Sequence, residues 1–548
     1  MKEEKTNNMT KKYFIIPVLY ALLFGLVSCQ KTNPSNSSVS SDISTSSFAS
    51  SSISSSETSS ETSSESSSEI SSETSSESSS SSSFSSSDSN WEIEWDESQN
   101  SLRNGTKEID FYNLNDMHGA IENTSEEPGI AKLATYLKEK KSANSAGFVL
   151  TSSGDMWQGS ADSNITRGAL VTDWMNYMDF SAMALGNHEF DWTIDFIKQN
   201  QAMADFPFLA CNIVDSETNE VVDWASPYTT LTRNGVRIGI IGAIGEGITN
   251  SILASNVRGL TFANPDSYVA QWSTYLKNNG ADVILYLYHG TTNEMSNTIA
   301  SYCDAAFGGH NHKTERNTIG MSNVPAVEGG SNGKYVSHIN LKYTFNAATV
   351  TYGNYGYDNS GLMRKSDDQG SLDVKAKYAE QINTIKNEEV ARIPYYLDAY
   401  DDVPHYYNKY AYRYYMDNET NPQNVYAVVT NNGRAGISSG VVTYGDIYKA
   451  LPFDNYLVLF RATGRNIKRI TTYSSSHWYI PSISEDTISY DQSAQYFDDY
   501  TTYYVLTINY ISENESYSSW LTLEKEFLED EALPRNIFKH YLSIDYPL

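Results

Sequence analysis

The sequence predicts an α/β domain followed by a smaller mixed domain, both carried behind a long N-terminal tether. Three observations predict this. Between about Lys107 and Tyr357, short apolar runs alternate with helical patterns, the signature of strands crossing over through helices. Most of those apolar runs end directly in a polar, Gly-rich segment, and ligands in α/β sheets gather outside the carboxyl ends of strands. Five of the nine histidines fall in those segments.

The tether comes first. Lys11 and Lys12 precede the apolar run Tyr13 to Val27, which is too short for a comfortable membrane span. Leu26-Val27-Ser28-Cys29 resembles a bacterial lipobox, so residues 1–29 are expected to be a lipoprotein signal peptide, with lipid on Cys29. An ordinary secretory signal or an anchor helix is the alternative. Residues 30–100 read as a disordered Ser/Glu-rich linker. Glu recurs every fourth residue from Glu57 to Glu77, but no apolar face accompanies it, so an extended, self-repelling chain is expected. The expected location is the extracellular face of a bacterial membrane, lipid-anchored.

The net charge of −29 argues against a nucleic-acid polymer as partner. Beyond Cys29 only Cys211 and Cys303 remain, too few for a disulfide framework, and the sequence does not say whether they pair. The surplus of Tyr and Asn suits an exported surface and decides nothing.

The folded part follows. Expected strands are Ile109–Leu114, Gly147–Leu150, Ala182–Leu185, Arg237–Ile241, Asp282–Tyr288 and Ala305–Phe307. Expected helices are Ile130–Lys140, Ala169–Met178, Asp191–Met203 and Asp266–Asn278. Together they span a first domain at 106–360. Residues 361–392 are expected to connect the domains through a helix, Ser371–Val390, with Leu372, Tyr378, Ile382 and Ile385 on one stripe. The second domain covers 393–548, with strands at Val425–Thr430, Leu457–Thr463 and Tyr503–Ile508. There is no internal repeat and no further span.

Asp116-Met-His118-Gly, Ser-Gly-Asp155-Met, Gly-Asn187-His188, His289-Gly and Gly-His310-Asn-His312 supply carboxylate, amide and imidazole groups. A divalent ion that activates water needs such a set with positions left open. Seven candidate ligands exceed one tetrahedral site and suit two ions sharing Asp155. Singly, each His or Asp reads as a hydrogen-bonding or turn residue. Jointly they do not. No Cys takes part, which argues against a thiolate zinc site.

These segments resemble the calcineurin-like metallophosphoesterases, in their 5′-nucleotidase branch. Asp-Met-His-Gly at 116–119, Gly-Asp-Met-Trp-Gln-Gly-Ser at 154–160, Gly-Asn-His-Glu-Phe-Asp at 186–191, His289-Gly290 and Gly-His-Asn-His at 309–312 stand in the family's order. The resemblance implies a four-layer α/β/β/α sandwich. It assigns Asp116, His118, Asp155 and His312 to one ion and Asp155, Asn187, His289 and His310 to the other. The ions would be zinc, manganese, iron or a similar divalent metal. It also implies a catalytic dyad of His188 and Asp191, though Asp191 could equally cap a helix.

In the second domain Asn431-Asn-Gly-Arg434, Leu-Pro-Phe453 and Asn-Tyr510 resemble the C-terminal domain of 5′-nucleotidases. The resemblance implies that Asn431, Arg434, Phe453 and Tyr510 hold a nucleoside, its base between the two rings. Phe453 as a core residue is the alternative. There are departures. The Gly-rich turn is shortened. The Gly-Gly-Asp-Gly expected after the second aromatic reads Glu513-Asn-Glu-Ser516. The expected Asn-Leu-Gly-Asn-Leu near residue 410 reads Tyr-Tyr-Asn-Lys-Tyr-Ala-Tyr-Arg413.

The implied protein hydrolyses nucleotide phosphate esters with metal-activated water. Rival substrates are 2′,3′-cyclic nucleotides, nucleotide sugars and nucleoside di- or triphosphates. A rival of another class is a nucleotide-binding surface lipoprotein without turnover.

Overall fold

In the computed structural model the described residues are 91–471, 477–482, 496–513 and 518–548. The apolar run at 13–27, Cys29 and the Ser/Glu tract up to Asn90 lie outside them.

Two six-stranded sheets build the first domain. The first orders its strands as Thr349–Asp358, Val336–Thr344, Thr106–Leu114, Phe148–Ser152, Ala182–Ala184 and Phe208–Leu209. The second runs Thr314–Ile319, Val324–Gly329, Ala305–Phe307, Val283–His289, Val236–Ile244 and Tyr228–Arg233. The central neighbours in each are parallel; antiparallel strands lie at both margins of the second sheet and at one margin of the first, whose other edge, Phe208–Leu209, pairs parallel.

Val283–His289 explains the layering. Val283, Leu285 and Leu287 join Ile238, Ile240, Phe111 and Val149 in a core between the sheets. The alternate residues Ile284 and Tyr286 pack with Val269 and Leu276 of the helix Pro265–Asn278. A strand buried on both faces must be apolar throughout, which is why this run shows no alternation in the sequence. On the far side, the helices Gly129–Ala143, Ala169–Tyr177 and Gln369–Lys386 cover the first sheet through Leu133, Leu137, Trp174, Val374 and Ile382. The order is helix, sheet, sheet, helix: the predicted four-layer sandwich.

Several expectations need correction. The helix placed at Asp191 begins at Ile194, after a 3-10 turn at Asn187–Phe190, and Thr193 holds its N-cap position. Leu372 leaves the predicted stripe and is exposed, while Val374 and Ile382 are buried. Its neighbour Ser371 holds the inward position, because a one-residue offset turns a helical side chain by about 100°. The C-terminal ten residues of the expected linker are ordered. Trp91, Ile93 and Trp95 pack on the same core as Trp272 and Tyr275, with Trp91 edge-on to Trp272, and Glu94 and Asp96 donate backbone N–H to Thr230 and Thr232. Three apolar side chains at alternate positions make this an arm along a sheet edge. Cys211 and Cys303 are both buried and unpaired.

The second domain has a five-stranded sheet ordered His477–Tyr479, Val425–Thr430, Thr502–Ile508, Leu457–Thr463 and Thr522–Phe527. The helices Asp402–Asn418 and Pro534–Asp545 pack on it with Tyr407, Tyr410, Ile537, Phe538 and Tyr541. Tyr410 and Tyr541 stack at 5.8 Å. Part of the tyrosine surplus therefore sits in this core, where Tyr407, Tyr410, Tyr414, Tyr415, Tyr444, Tyr448 and Tyr541 are buried.

Candidate active site

Five parallel strands from both sheets deliver the candidate ligands at their carboxyl ends. Thr106–Leu114 leads to Asp116 and His118, Phe148–Ser152 to Asp155, and Ala182–Ala184 to Asn187 and His188. Val283–His289 ends on His289, and Ala305–Phe307 leads to His310 and His312. Asp116, His118, Asp155, His310 and His312 all have φ between 48° and 82°. That left-handed region costs a non-glycine residue free energy and persists only where the surroundings enforce it. Strain is thus concentrated at five of the seven predicted ligand positions. Glycine is required beside them. A Cβ on Gly186 would stand 2.3 Å from Asp155 Oδ1, and one on Gly154 would stand 2.6 Å from the Gly186 nitrogen.

The side chains converge. Asp116, His118 and His312 present ligand atoms within 4.8 Å of one another, as do Asp155, His289 and His310. Asn187 Oδ1 lies 3.0 Å from both His289 Nε2 and His310 Nδ1. His118 also groups with Asp155 and His188.

Tautomers decide what this set wants. His118 Nδ1 lies 2.9 Å from the Gln158 carbonyl, and His289 Nδ1 lies 2.7 Å from that of Ser153. A carbonyl only accepts, so each Nδ1 carries the proton and donates it, leaving the neutral ring's Nε2 lone pair aimed inward. His118 Nε2 lies 2.9 Å from His312 Nε2, and His289 Nε2 lies 3.3 Å from Asp155 Oδ2. Imidazole lone pairs and carboxylates this close need a cation between them, either a proton or a metal ion. The donor set therefore fits divalent metal.

The charges agree. Burial drives His118 down to about 3, keeping it neutral. Burial raises Asp116 to about 7, against the attraction of His289. Burial also pushes Asp155 upward, but His289, His188 and His118 outweigh it and hold that carboxylate well below its usual range.

His188 is arranged differently. Its Nδ1 lies 2.8 Å from Asp191 Oδ2. Burial alone would lower it, but Asp191 and Asp155 outweigh burial and hold it at about 9, as imidazolium. Its backbone N–H donates to Asp155 Oδ1 at 2.8 Å, tying its loop to the ligand loop. Asp191 is not the N-cap of the following helix, a position held by Thr193; its carboxylate faces His188.

Sequence reasoning missed Glu189. It is fully buried and accepts three backbone N–H bonds, from Asp155, Met156 and Gly186, at 2.7–2.9 Å. It locks the Asp155 turn to the Asn187 turn. Its place inside Gly-Asn-His-Glu was the available signal.

A cavity of about 730 Å³ opens from this cluster to the second domain. Asp155, Asn187, His188, His310 and His312 line one wall, and Asn431, Arg434, Phe453 and Tyr510 the other. The four residues expected around a nucleoside are therefore brought together beside the candidate metal ligands. The Arg434 guanidinium stands 4.9 Å from the Phe453 ring centre. The Phe453 ring stacks on His188 at 6.0 Å and 24°. Asn431 Oδ1 is buried with no hydrogen-bond partner. Phe453 is not a core residue: it is part of the cavity wall.

The sequence model of the 5′-nucleotidase C-terminal domain matches residues 410–522. Residues 410–522 are a 5′-nucleotidase C-terminal domain. Curated relatives extend the likeness across both domains. The cell wall protein Lmo0130 of Listeria monocytogenes is 23% identical over 466 residues, covering 69% of this chain, which spans 58% of that protein's length. A snake venom 5′-nucleotidase of Crotalus adamanteus is 24% identical over 432 residues, covering 68% of this chain and 71% of that one. Among solved structures, a 5′-nucleotidase precursor from Thermus thermophilus superimposes with a TM-score of 0.65 at 17% identity, covering 80% of this chain and 97% of that one. The 5′-nucleotidase-type C-terminal domain thus follows a sandwich with the same overall fold as a solved relative.

Proposed function

We propose that this protein is a metal-dependent phosphoric ester hydrolase of the 5′-nucleotidase type, acting on nucleotides outside the cell. One observation carries the reading. Four strand-end ligands, Asp155, Asn187, His310 and His312, line the same cavity as Arg434, Phe453 and Tyr510, and Asp116, His118 and His289 group with them behind that wall.

Asp116, His118, Asp155 and His312 would hold one ion, and Asp155, Asn187, His289 and His310 a second. When bound, such a pair lowers the pKa of water and neutralises charge on a phosphoryl group. The chain's own residues do the rest. His188 keeps a proton on Nδ1 against Asp191 and has Nε2 free to donate to a phosphoryl or leaving-group oxygen. Arg434 adds positive charge to the cavity wall, and the Phe453 and Tyr510 faces suit a planar base. Two domains contribute, which favours a substrate with a phosphoryl end and an aromatic end.

The extracellular placement draws on the likeness to a cell wall protein and to a venom 5′-nucleotidase. A lipid anchor at Cys29 remains part of the proposal, on the Leu-Val-Ser-Cys motif alone.

The test is phosphate release from a panel of nucleoside monophosphates, 2′,3′-cyclic nucleotides, nucleotide sugars and nucleoside di- and triphosphates. Metal-dependent turnover of 5′-monophosphates supports the reading. Turnover of only another class moves the substrate assignment. Binding with no turnover of any member, in the metal-loaded protein, overturns the enzyme reading in favour of a receptor.

A further inference from the structure

The loop that carries Phe453 is gripped from both domains. Asn164 of the first domain donates to the Pro452 carbonyl at 3.1 Å. Arg535, from the last helix, donates to the Phe453 carbonyl at 3.1 Å. The Asp454 carboxylate is bound on one oxygen by Arg167 of the first domain and on the other by Arg535. The Phe453 side chain takes part in none of these bonds; its ring lies against His188 and the Arg434 guanidinium.

Both arginines are themselves fixed. Arg535 is 4% exposed and stacks over Tyr448 at 4.4 Å. Arg167 sits over Trp192 at 5.4 Å and Phe196 at 5.6 Å, and its carbonyl accepts from Asn200 at 2.8 Å. Its backbone is strained, with φ at 50°. The next residue, Gly168, has φ at 82°, and a Cβ there would meet Trp157 at 2.6 Å. A left-handed turn at a non-glycine residue needs a reason. Here it aims a guanidinium across the cleft at Asp454. On the opposite side, Glu513 accepts from the Ser255 N–H and the Tyr456 hydroxyl, each at 3.1 Å, and ties the domains again.

We infer that Asp454 is a positioning residue: held between Arg167 and Arg535, it sets the Phe453 ring against His188 and so couples nucleoside recognition to the reaction centre across the domain boundary. This rests on the nucleotide reading above. Asp454 is not one of the candidate ligands; it lines the cavity beside Phe453, and its charge acts weakly on Asp191, an effect common to all substrates that cancels in a ratio between two of them. It acts through Phe453, so its loss falls on substrates that use the ring.

The experiment compares adenosine monophosphate with an aryl phosphate on the full, metal-loaded chain. In Asp454→Asn the ratio of kcat/KM for the nucleotide to that for the aryl phosphate should fall about tenfold, mostly through KM. Asp454→Glu should recover part of that ratio. Arg167→Met should shift the ratio in the same direction, and because its side chain is 32% exposed it tests the proposal even if the Asp454 variants fold poorly. The double variant should be no worse than the more severe single, since both remove one network. A ratio unchanged within about twofold overturns the proposal, as do equal losses on both substrates or strictly additive effects. Wild-type protein that hydrolyses the aryl phosphate and no nucleotide overturns the nucleotide reading as well. That failure is distinguishable, because it precedes any substitution.

Discussion

The two walls of the cleft are built by opposite means. On the first-domain wall every functional group sits within a few residues of a strand end. The backbone there is strained at five ligands, and Glu189 and Asp155 tie neighbouring loops together directly. On the second-domain wall Asn431 and Tyr510 also follow strand ends, but the Phe453 ring is held at a distance. Phe453 depends on Asn164, Arg167 and Arg535, which lie about 80 to 290 residues away in sequence. The first wall is rigid because its parts are local and mutually bonded. The second is only as well placed as the contacts between domains. Chemistry and specificity therefore respond to different substitutions.

The largest expected effect breaks the first wall. Asp155→Asn removes the carboxylate that the proposed assignment shares between two ions, so phosphate release should fall to background and bound metal should drop, while circular dichroism stays native. Wild-type turnover with metal that resists chelation would show that the site is misassigned.

His188→Ala should leave metal content unchanged and lower kcat by ~10²–10⁴-fold, the usual contribution of a general acid–base group. Metal loss in step with activity would make His188 a ligand. Unchanged kcat with chemistry rate-limiting would remove it from the mechanism.

The comparison sharpens on the second wall. Replacing Phe453 and Tyr510 together by Ala should raise the nucleotide KM about tenfold or more, since each aromatic pair is worth roughly 0.5–1.5 kcal/mol beyond area burial. The loss on an aryl phosphate should be far smaller. Equal losses on both would indicate disturbed domain docking rather than a lost clamp.

This contrast also explains what the sequence revealed. The ligands were legible because each needs a particular residue type on a particular turn, so Asp116-Met-His118 or Gly-Asn187-His188 survives as a short string. The strands Asp282–Tyr288 and Ala305–Phe307 were legible because burial on both faces makes them apolar runs. The strands Thr314–Ile319 and Thr349–Asp358 lie at sheet margins, carry Thr, Asn and Arg, and gave no such signal. The arm at 91–100 was hidden by the Ser tract beside it. The grip on Asp454 could not be read, because nothing near Leu-Pro-Phe-Asp announces a partner at Arg167 or Arg535. Glu513, which looked like a degenerate remnant of a family motif, proves to be a domain contact.

The smallest expected effect lies away from the cleft. Burial raises the Asp358 carboxyl, but hydrogen bonds from Ser360 and Tyr136 outweigh it and hold it down to about 2. A depressed folded value stabilises the native state above the ordinary carboxyl range, and that contribution disappears as pH falls through about 2. Asp358→Asn should therefore lower Tm by a constant amount above about pH 4, and the difference should shrink between pH 4 and 2. A difference independent of pH over that window would mean the hydrogen bonds matter and the charge does not.

The central claim is that the strand-end ligands form a two-ion reaction centre, and a metal titration tests it most directly. Chelated protein should release no phosphate from a nucleoside monophosphate. As zinc or manganese is restored, activity and bound metal should rise together and level off at two ions per chain. Full turnover by chelated protein, or a plateau of activity reached with a single bound ion, would contradict the account.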